Sequence, residues 1–130
     1  MAGQPPVKIY FDGGCRPNPG PMRTAVVARG RTWHSDDLGT GDNNDAEWLA
    51  LIHGLGIART LGVADAVLLG DSALVVAQAN GVAPCRDVRF SRRLAELRDL
   101  AADFARLRIR RISRSQNLAG IALERVHGRL

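Results

Sequence analysis

Residues Val7–Asp12 alternate between the two sides of an extended chain and are rich in β-formers, which predicts a first strand. The run Gly13-Gly14-Cys15-Arg16-Pro17-Asn18-Pro19-Gly20-Pro21 reads as a loop. Thr24–Ala28 predicts a second strand, and Gly30-Arg31 a turn into a third near Thr32–Ser35, so the chain opens with an antiparallel meander. The period then changes. From Asn44 to Leu61 apolar residues recur at 48, 49, 51, 52, 55 and 58, the spacing of a helix, with Asn44 as its expected N-cap and Gly62 as its stop. Ala66–Asp71 is almost wholly apolar, as befits a strand buried on both faces. Ser72–Asn80 predicts a short helix. Ser91–Leu107 predicts an amphipathic helix with Leu94, Leu97, Leu100, Ala101, Phe104 and Leu107 on one stripe. Arg108–Ser113 predicts a basic strand, and Asn117 the cap of a last helix running to about Gly128. The order β-β-β-α-β-α-α-β-α implies an α/β fold, a mixed sheet with helices on its faces.

At 130 residues, this is one domain's worth of chain, expected over 7–130 behind a loose tail of residues 1–6. No stretch approaches the roughly 18 apolar residues of a membrane span, so no membrane partner is expected. The N-terminus lacks the pattern of a secretory signal, and Cys15 and Cys85 show no metal or disulfide spacing. A cytoplasmic setting with both thiols free is the expectation. Charge narrows the partner class further. Residues 86–114 hold ten arginines and four acids, a net +6, while the rest of the chain sums to −1. Such a basic segment beside a nearly neutral body points to a polyanion, most often nucleic acid; a solvated basic helix face is the plainer alternative.

Three acids stand at element boundaries. Asp12 ends the first strand, Asp71 ends the fourth, and Glu47 lies in the first turn of the first long helix. If the first and fourth strands are parallel neighbours, Asp12 and Asp71 share one rim, and a helix packed on the sheet can aim Glu47 at it. Converging carboxylates are unfavourable unless cations hold them, and an all-oxygen set suits Mg²⁺ or Mn²⁺. Each acid also has a local explanation. Glu47 completes an Asn44-x-x-Glu47 capping box, Asp71 can cap the helix at Ser72, and Asp12 before two glycines can be a turn residue.

Together with these acids, the segments Tyr10-Phe11-Asp12-Gly13-Gly14, Asn18-Pro19-Gly20-Pro21, Asn43-Asn44-Asp45-Ala46-Glu47, Gly70-Asp71-Ser72-Ala73-Leu74-Val75-Val76-Ala77-Gln78 and Arg114-Ser115-Gln116-Asn117 resemble ribonuclease HI, the type 1 ribonuclease H, in its short prokaryotic form. The resemblance covers nearly the whole chain. It implies the ribonuclease H-like fold, a five-stranded sheet of three antiparallel and two parallel strands flanked by helices. It implies a monomeric, metal-dependent endonuclease that cuts the RNA strand of RNA–DNA hybrids. Two Mg²⁺ ions about 4 Å apart, with Mn²⁺ as substitute, would be held by Asp12, Glu47 and Asp71. Asn18, Asn43 and Asn44 would face the minor groove, with backbone groups near Gly14 and Cys15 contacting RNA 2′-hydroxyls, and Ser72, Gln78, Arg114 and Asn117 would be further substrate contacts; Gln78 could equally be an exposed helix residue. Short amides suit this task because they can both donate to and accept from the 2′-hydroxyl that distinguishes RNA.

The resemblance also implies a fourth carboxylate early in the last helix, and Gly120 stands in its place. Glu124, one helical turn further, leans back toward the gap and is a candidate substitute ligand; otherwise it is a solvent-facing residue near Arg125. Two readings follow: a nuclease, weakened or not, and a hybrid- or double-stranded-RNA-binding module that has lost cleavage. Retention of Asp12, Glu47 and Asp71 together favours the enzyme.

Overall fold

A computed structural model describes residues 5–127. Residues 1–4 of the expected tail, and Gly128 at the expected end of the last helix, lie outside the described residues. The element order is β1 (Val7–Cys15), β2 (Gly20–Ala28), β3 (Arg31–Ser35), β4 (Thr40–Gly41), α1 (Asn43–Thr60), β5 (Asp65–Gly70), α2 (Ala73–Ala79), α3 (Val88–Ala101), β6 (Arg106–Arg111), a 3₁₀ turn at Arg114–Gln116, and α4 (Leu118–His127). The strands lie in the order β3-β2-β1-β5-β6, and the two-residue β4 pairs β2. β1 is antiparallel to β2 and parallel to β5, and β6 is parallel to β5. The mixed sheet expected from the sequence is therefore present, with β4 as an addition.

Alternation along β1 sets the two faces. Ile9, Phe11, Gly13 and Cys15 are buried on one side, where Ile9 and Phe11 pack with Trp48, Leu51 and Leu55 of α1. Tyr10 and Asp12 point to the other side, where Tyr10 packs with Ala119 and Leu123 of α4 and Ala25 of β2. α1 is buried at ten of its eighteen positions because the sheet covers one flank and α3 the other. That double cover explains its dense apolar sequence.

Several boundaries differ from expectation. β1 does not end at Asp12. Gly13, Gly14 and Cys15 stay extended and pair with Thr24, Arg23 and Met22, so the loop shrinks to Arg16–Pro19. Glycine is needed at 13 for another reason: a Cβ there would overlap the Ala46 carbonyl of α1. α1 begins at Asn43 and its N-cap is Asp42, whose side chain accepts from the Asp45 amide at 2.8 Å. Asn44 therefore caps nothing, and no Asn44–Glu47 capping box forms. Ser72, not Asp71, caps α2, through the Val75 amide. α3 starts earlier than expected, capped by Asp87, and stops at Ala101. Phe104 and Leu107 continued the apolar spacing, but they pack on the core from a turn and from β6. Among the described residues, no helix is long and apolar enough to cross a membrane.

Candidate active site

Parallel pairing of β1 with β5 places Tyr10 beside Leu69. Two residues further along each chain stand Asp12 and Asp71, at the same rim of the sheet. α1 approaches closely over Gly13, and the Gly13 amide donates to Glu47 Oε1 at 3.2 Å. Asp12, Glu47 and Asp71 each offer an oxygen, and these atoms lie within 4.8 Å of one another. The local alternatives for these acids are removed, since Asp42 and Ser72 do the capping and Asp12 sits inside a strand.

The electrostatics of the cluster are those of a group short of positive charge. Burial raises the Asp12 carboxyl above its ordinary pKa and nearby Asp71 adds to this, against the pull of Arg114 and the Gly13 amide. Glu47 is raised well above its ordinary value by burial first, then by Asp12. Among the described residues, its buried Oε2 has no hydrogen-bond partner. A buried carboxylate oxygen left unpaired is costly unless something cationic meets it. An all-oxygen donor set of this size fits a hard divalent cation.

Asn117 is the residue that ties the rim together. It is fully buried, and its Nδ2 donates to Asp71 Oδ2 at 2.9 Å and to the Phe11 carbonyl at 3.1 Å, while its Oδ1 accepts from the Ala119 amide. Expected as a substrate contact, it instead orients a carboxylate and caps α4.

The cleft over the acids is lined by Gly14, Cys15, Arg16, Asn43, Asn44, Ser72, Arg114 and, on α4, Gly120, Ile121 and Glu124, among others. Asn43 Oδ1 accepts from the Cys15 amide at 3.1 Å, and Asn18 Oδ1 accepts from the Asn43 amide at 3.1 Å. These bonds lock the end of β1 to the start of α1 and leave the Asn43 Nδ2 to donate elsewhere. Cys15 is buried with its thiol against Asn18, Gly41 and Asn43. Gln78 is also a correction: it is buried, accepting from Trp48 Nε1 at 2.9 Å and donating to the Pro84 carbonyl. Trp48 needs a partner for its indole N–H in the core, so Gln78 serves packing and is not a lining residue of the cleft.

Among the described residues, α4 adds no carboxylate to the acid cluster. A Cβ at Gly120 would lie 3.6 Å from Asp12 Oδ2, so the space faces the acids but is empty of side chain. Ile121, also on the cleft, is an exposed apolar residue. Glu124 does not join the acid cluster; both its oxygens accept from Arg16 Nη2 at 2.9 Å. Sequence reading missed Arg16 and Ile121. Arg16 lay in what looked like a plain turn, although its place directly after Gly14-Cys15 was a usable signal.

The family model described as reverse transcriptase-like matches residues 11–124. A curated relative, ribonuclease HI of Halobacterium salinarum, is 35% identical over 126 residues, which cover 90% of this chain and 61% of that protein. The crystal structure of RNase H1 from H. salinarum NRC-1 superposes with a TM-score of 0.87 at 32% identity, covering 95% of this chain and 99% of that one. The chain belongs to the type 1 ribonuclease H family. Another solved ribonuclease H, LC11-RNase H1 in complex with an RNA/DNA hybrid, matches with a TM-score of 0.76 at 30% identity, over 86% of this chain and 88% of that one. In this ribonuclease H chain three acids meet at the sheet rim, and no carboxylate stands at Gly120 or Ile121.

Proposed function

We propose that this protein hydrolyses the RNA strand of RNA–DNA hybrids endonucleolytically, with two Mg²⁺ ions, replaceable by Mn²⁺, held by Asp12, Glu47 and Asp71. The observation that carries this reading is the buried, unpartnered Glu47 Oε2 within a three-carboxylate cluster that lines an open cleft. Such ions would supply Lewis acidity to a phosphoryl oxygen and lower the pKa of a bound water. The chain's own residues do the positioning. Gly13 and Asn117 fix the Glu47 and Asp71 oxygens, and Asp12 stands between them on β1. Asn43 Nδ2, Asn44, Asn18 and the backbone at Gly14–Cys15 offer short-range polar groups where a 2′-hydroxyl would be read. Ser72 and Arg114 also line the cleft, and Arg114 brings positive charge for the backbone. LC11-RNase H1 binding a hybrid supports the substrate class.

We further propose that the protein works as one domain over 7–130, as a monomer in the cytoplasm; the two free cysteines agree with a reducing compartment. The bare α4 wall favours a second reading, a hybrid- or double-stranded-RNA-binding module without cleavage. Incubation with a labelled RNA–DNA hybrid in Mg²⁺ or Mn²⁺, beside Asp71→Asn, decides between them. Cleavage of the RNA strand that disappears in the variant is the expected result. Binding without cleavage in either metal would favour the module.

A further inference from the structure

Arg16 and Glu124 come from opposite walls of the cleft. Arg16 follows the end of β1, Glu124 lies on α4, and 108 residues of sequence separate them. They meet across the opening through Arg16 Nη2, 2.9 Å from both carboxylate oxygens. Both side chains are exposed, at 50% and 66%, so water and salt screen the pair. Exposed pairs of this kind hold with only about 0–1 kcal/mol and exchange partners readily. The pair is therefore a weak staple, but it sits where a polyanion must enter. The cleft is lined by four acids (Asp12, Glu47, Asp71 and Glu124) and three arginines (Arg16, Arg114 and Arg125).

We propose that Arg16 is a phosphate-binding residue of this cleft and that Glu124 masks it in the free protein. The inference rests on the reading of the cleft as a hybrid-binding site and names one of its contacts. A guanidinium that holds a carboxylate by hydrogen bonds can hold a phosphodiester in the same way, because both anions present two oxygens in similar geometry. Among the described residues, Arg16 Nε and Nη1 donate to no partner, so a backbone phosphate finds free donors and can displace the carboxylate. The base of Arg16 is well placed, since the adjacent Cys15 amide is fixed by Asn43. Exchange swaps one anion for another on Arg16 and returns Glu124 to water, at little net cost in hydrogen bonds.

The test is hybrid affinity in the Asp71→Asn protein, where the substrate survives, measured by fluorescence anisotropy in Mg²⁺ over a series of salt concentrations. Arg16→Ala is expected to weaken binding about 5–20-fold and to lower the salt slope by about one. Glu124→Gln is expected to tighten binding about 2–5-fold, and this gain should shrink in the Arg16→Ala background. Unchanged affinity and slope in Arg16→Ala would overturn the phosphate contact. An equal gain from Glu124→Gln with and without Arg16 would mean plain repulsion and overturn the mask. Weaker binding in Glu124→Gln, with a higher Mg²⁺ requirement, would assign Glu124 to the metal and overturn it too. If the parent Asp71→Asn protein shows no preference for hybrid over duplex DNA of the same sequence, the reading of the cleft fails first and the inference falls with it.

Discussion

The cleft wall made by β1, β5 and α1 places its acids by strand register, close packing and buried hydrogen bonds, whereas the wall made by α4 holds its described groups by one exposed pair. On the first wall, strand register aligns Asp12 with Asp71, a glycine lets α1 approach, and Asn117 makes three hydrogen bonds. On the second wall stand Gly120, Ile121 and a glutamate engaged, among the described residues, only with Arg16. The difference teaches where the chemistry is pre-organised. Three carboxylates are kept close at a cost in stability, and that cost is sensible only if a cation or a substrate offsets it. The α4 wall stores no such cost and is free to exchange partners.

The comparison breaks most visibly at Glu47. Glu47→Gln keeps an acceptor for the Gly13 amide but removes an anionic oxygen from the cluster. If that oxygen holds metal as proposed, its loss is worth several kcal/mol and predicts a fall in cleavage of about 10³-fold, read by hybrid hydrolysis in Mg²⁺. Stability should move the other way. The Glu47 pKa is raised by burial, so its ionised form destabilises the folded state above that raised value. At neutral pH without divalent ions the variant should therefore be more stable, by about 1–3 kcal/mol. As pH falls through the raised value, Glu47 takes up its proton and the advantage fades. Urea titrations at several pH values check this, and added Mg²⁺ should stabilise the wild type more than the variant. A less stable variant at neutral pH would mean that the cluster is not strained.

A smaller effect is expected at Asn117. Asn117→Ala removes the amide that orients Asp71 and the cap of α4, predicting a 10–100-fold loss of cleavage and about 1–3 kcal/mol of stability. Asn117→Asp separates the two roles. Aspartate still caps a helix, but it turns a donor into an anion facing Asp71 Oδ2. Cleavage should fall as far or further while α4 remains folded, as hydrogen exchange on its amides would report.

What was legible in the sequence follows the same division. Alternation in β1 and the apolar run of β5 carried their faces, because a one-residue slip would turn every side chain over, while their parallel pairing stood only as a condition until the fold supplied it. The three acids were legible because the pattern set each at an expected element end, which holds for Asp71 after β5 but not for Asp12, which lies inside β1. What misled were polar residues whose local and distant partners are equally good. Asn44 looked like a cap, but Asp42 reaches the amide at 2.8 Å. Asn117 was read as a cap, which it is; its hold on Asp71, 46 residues away, has no local signature. Gln78 looked available to substrate, yet only the fold brings Trp48, 30 residues away, to its Oε1. Glycines at 13 and 14 suggested a turn; the close approach of α1 is invisible until the chain is folded.

The smallest expected effect tests whether the bare wall can be completed. A Cβ at Gly120 meets its nearest neighbours at 3.6–3.7 Å, ordinary contact distances, so Gly120→Asp fits without moving the backbone. The position is in the first turn of α4, where an anion is favoured by the helix dipole, and leaving glycine gains helix propensity. Against this stands Asp12 Oδ2, 3.6 Å from the new Cβ, a like charge at close range when no cation is present. The two tendencies have opposite metal dependence. Without divalent ions the variant should be no more stable than the wild type, while Mg²⁺ should stabilise it more and bind more tightly. Cleavage in Mg²⁺ should rise by a few-fold to about tenfold, about 1 kcal/mol of added stabilisation. Ile121→Asp provides the second arm, because Ile121 lines the same cleft and is exposed enough to lose its apolar side chain at little cost. A gain in metal affinity at either position shows that α4 faces the ions; no change at both, by calorimetric Mg²⁺ titration, would confine the metal site to the β1, β5 and α1 wall.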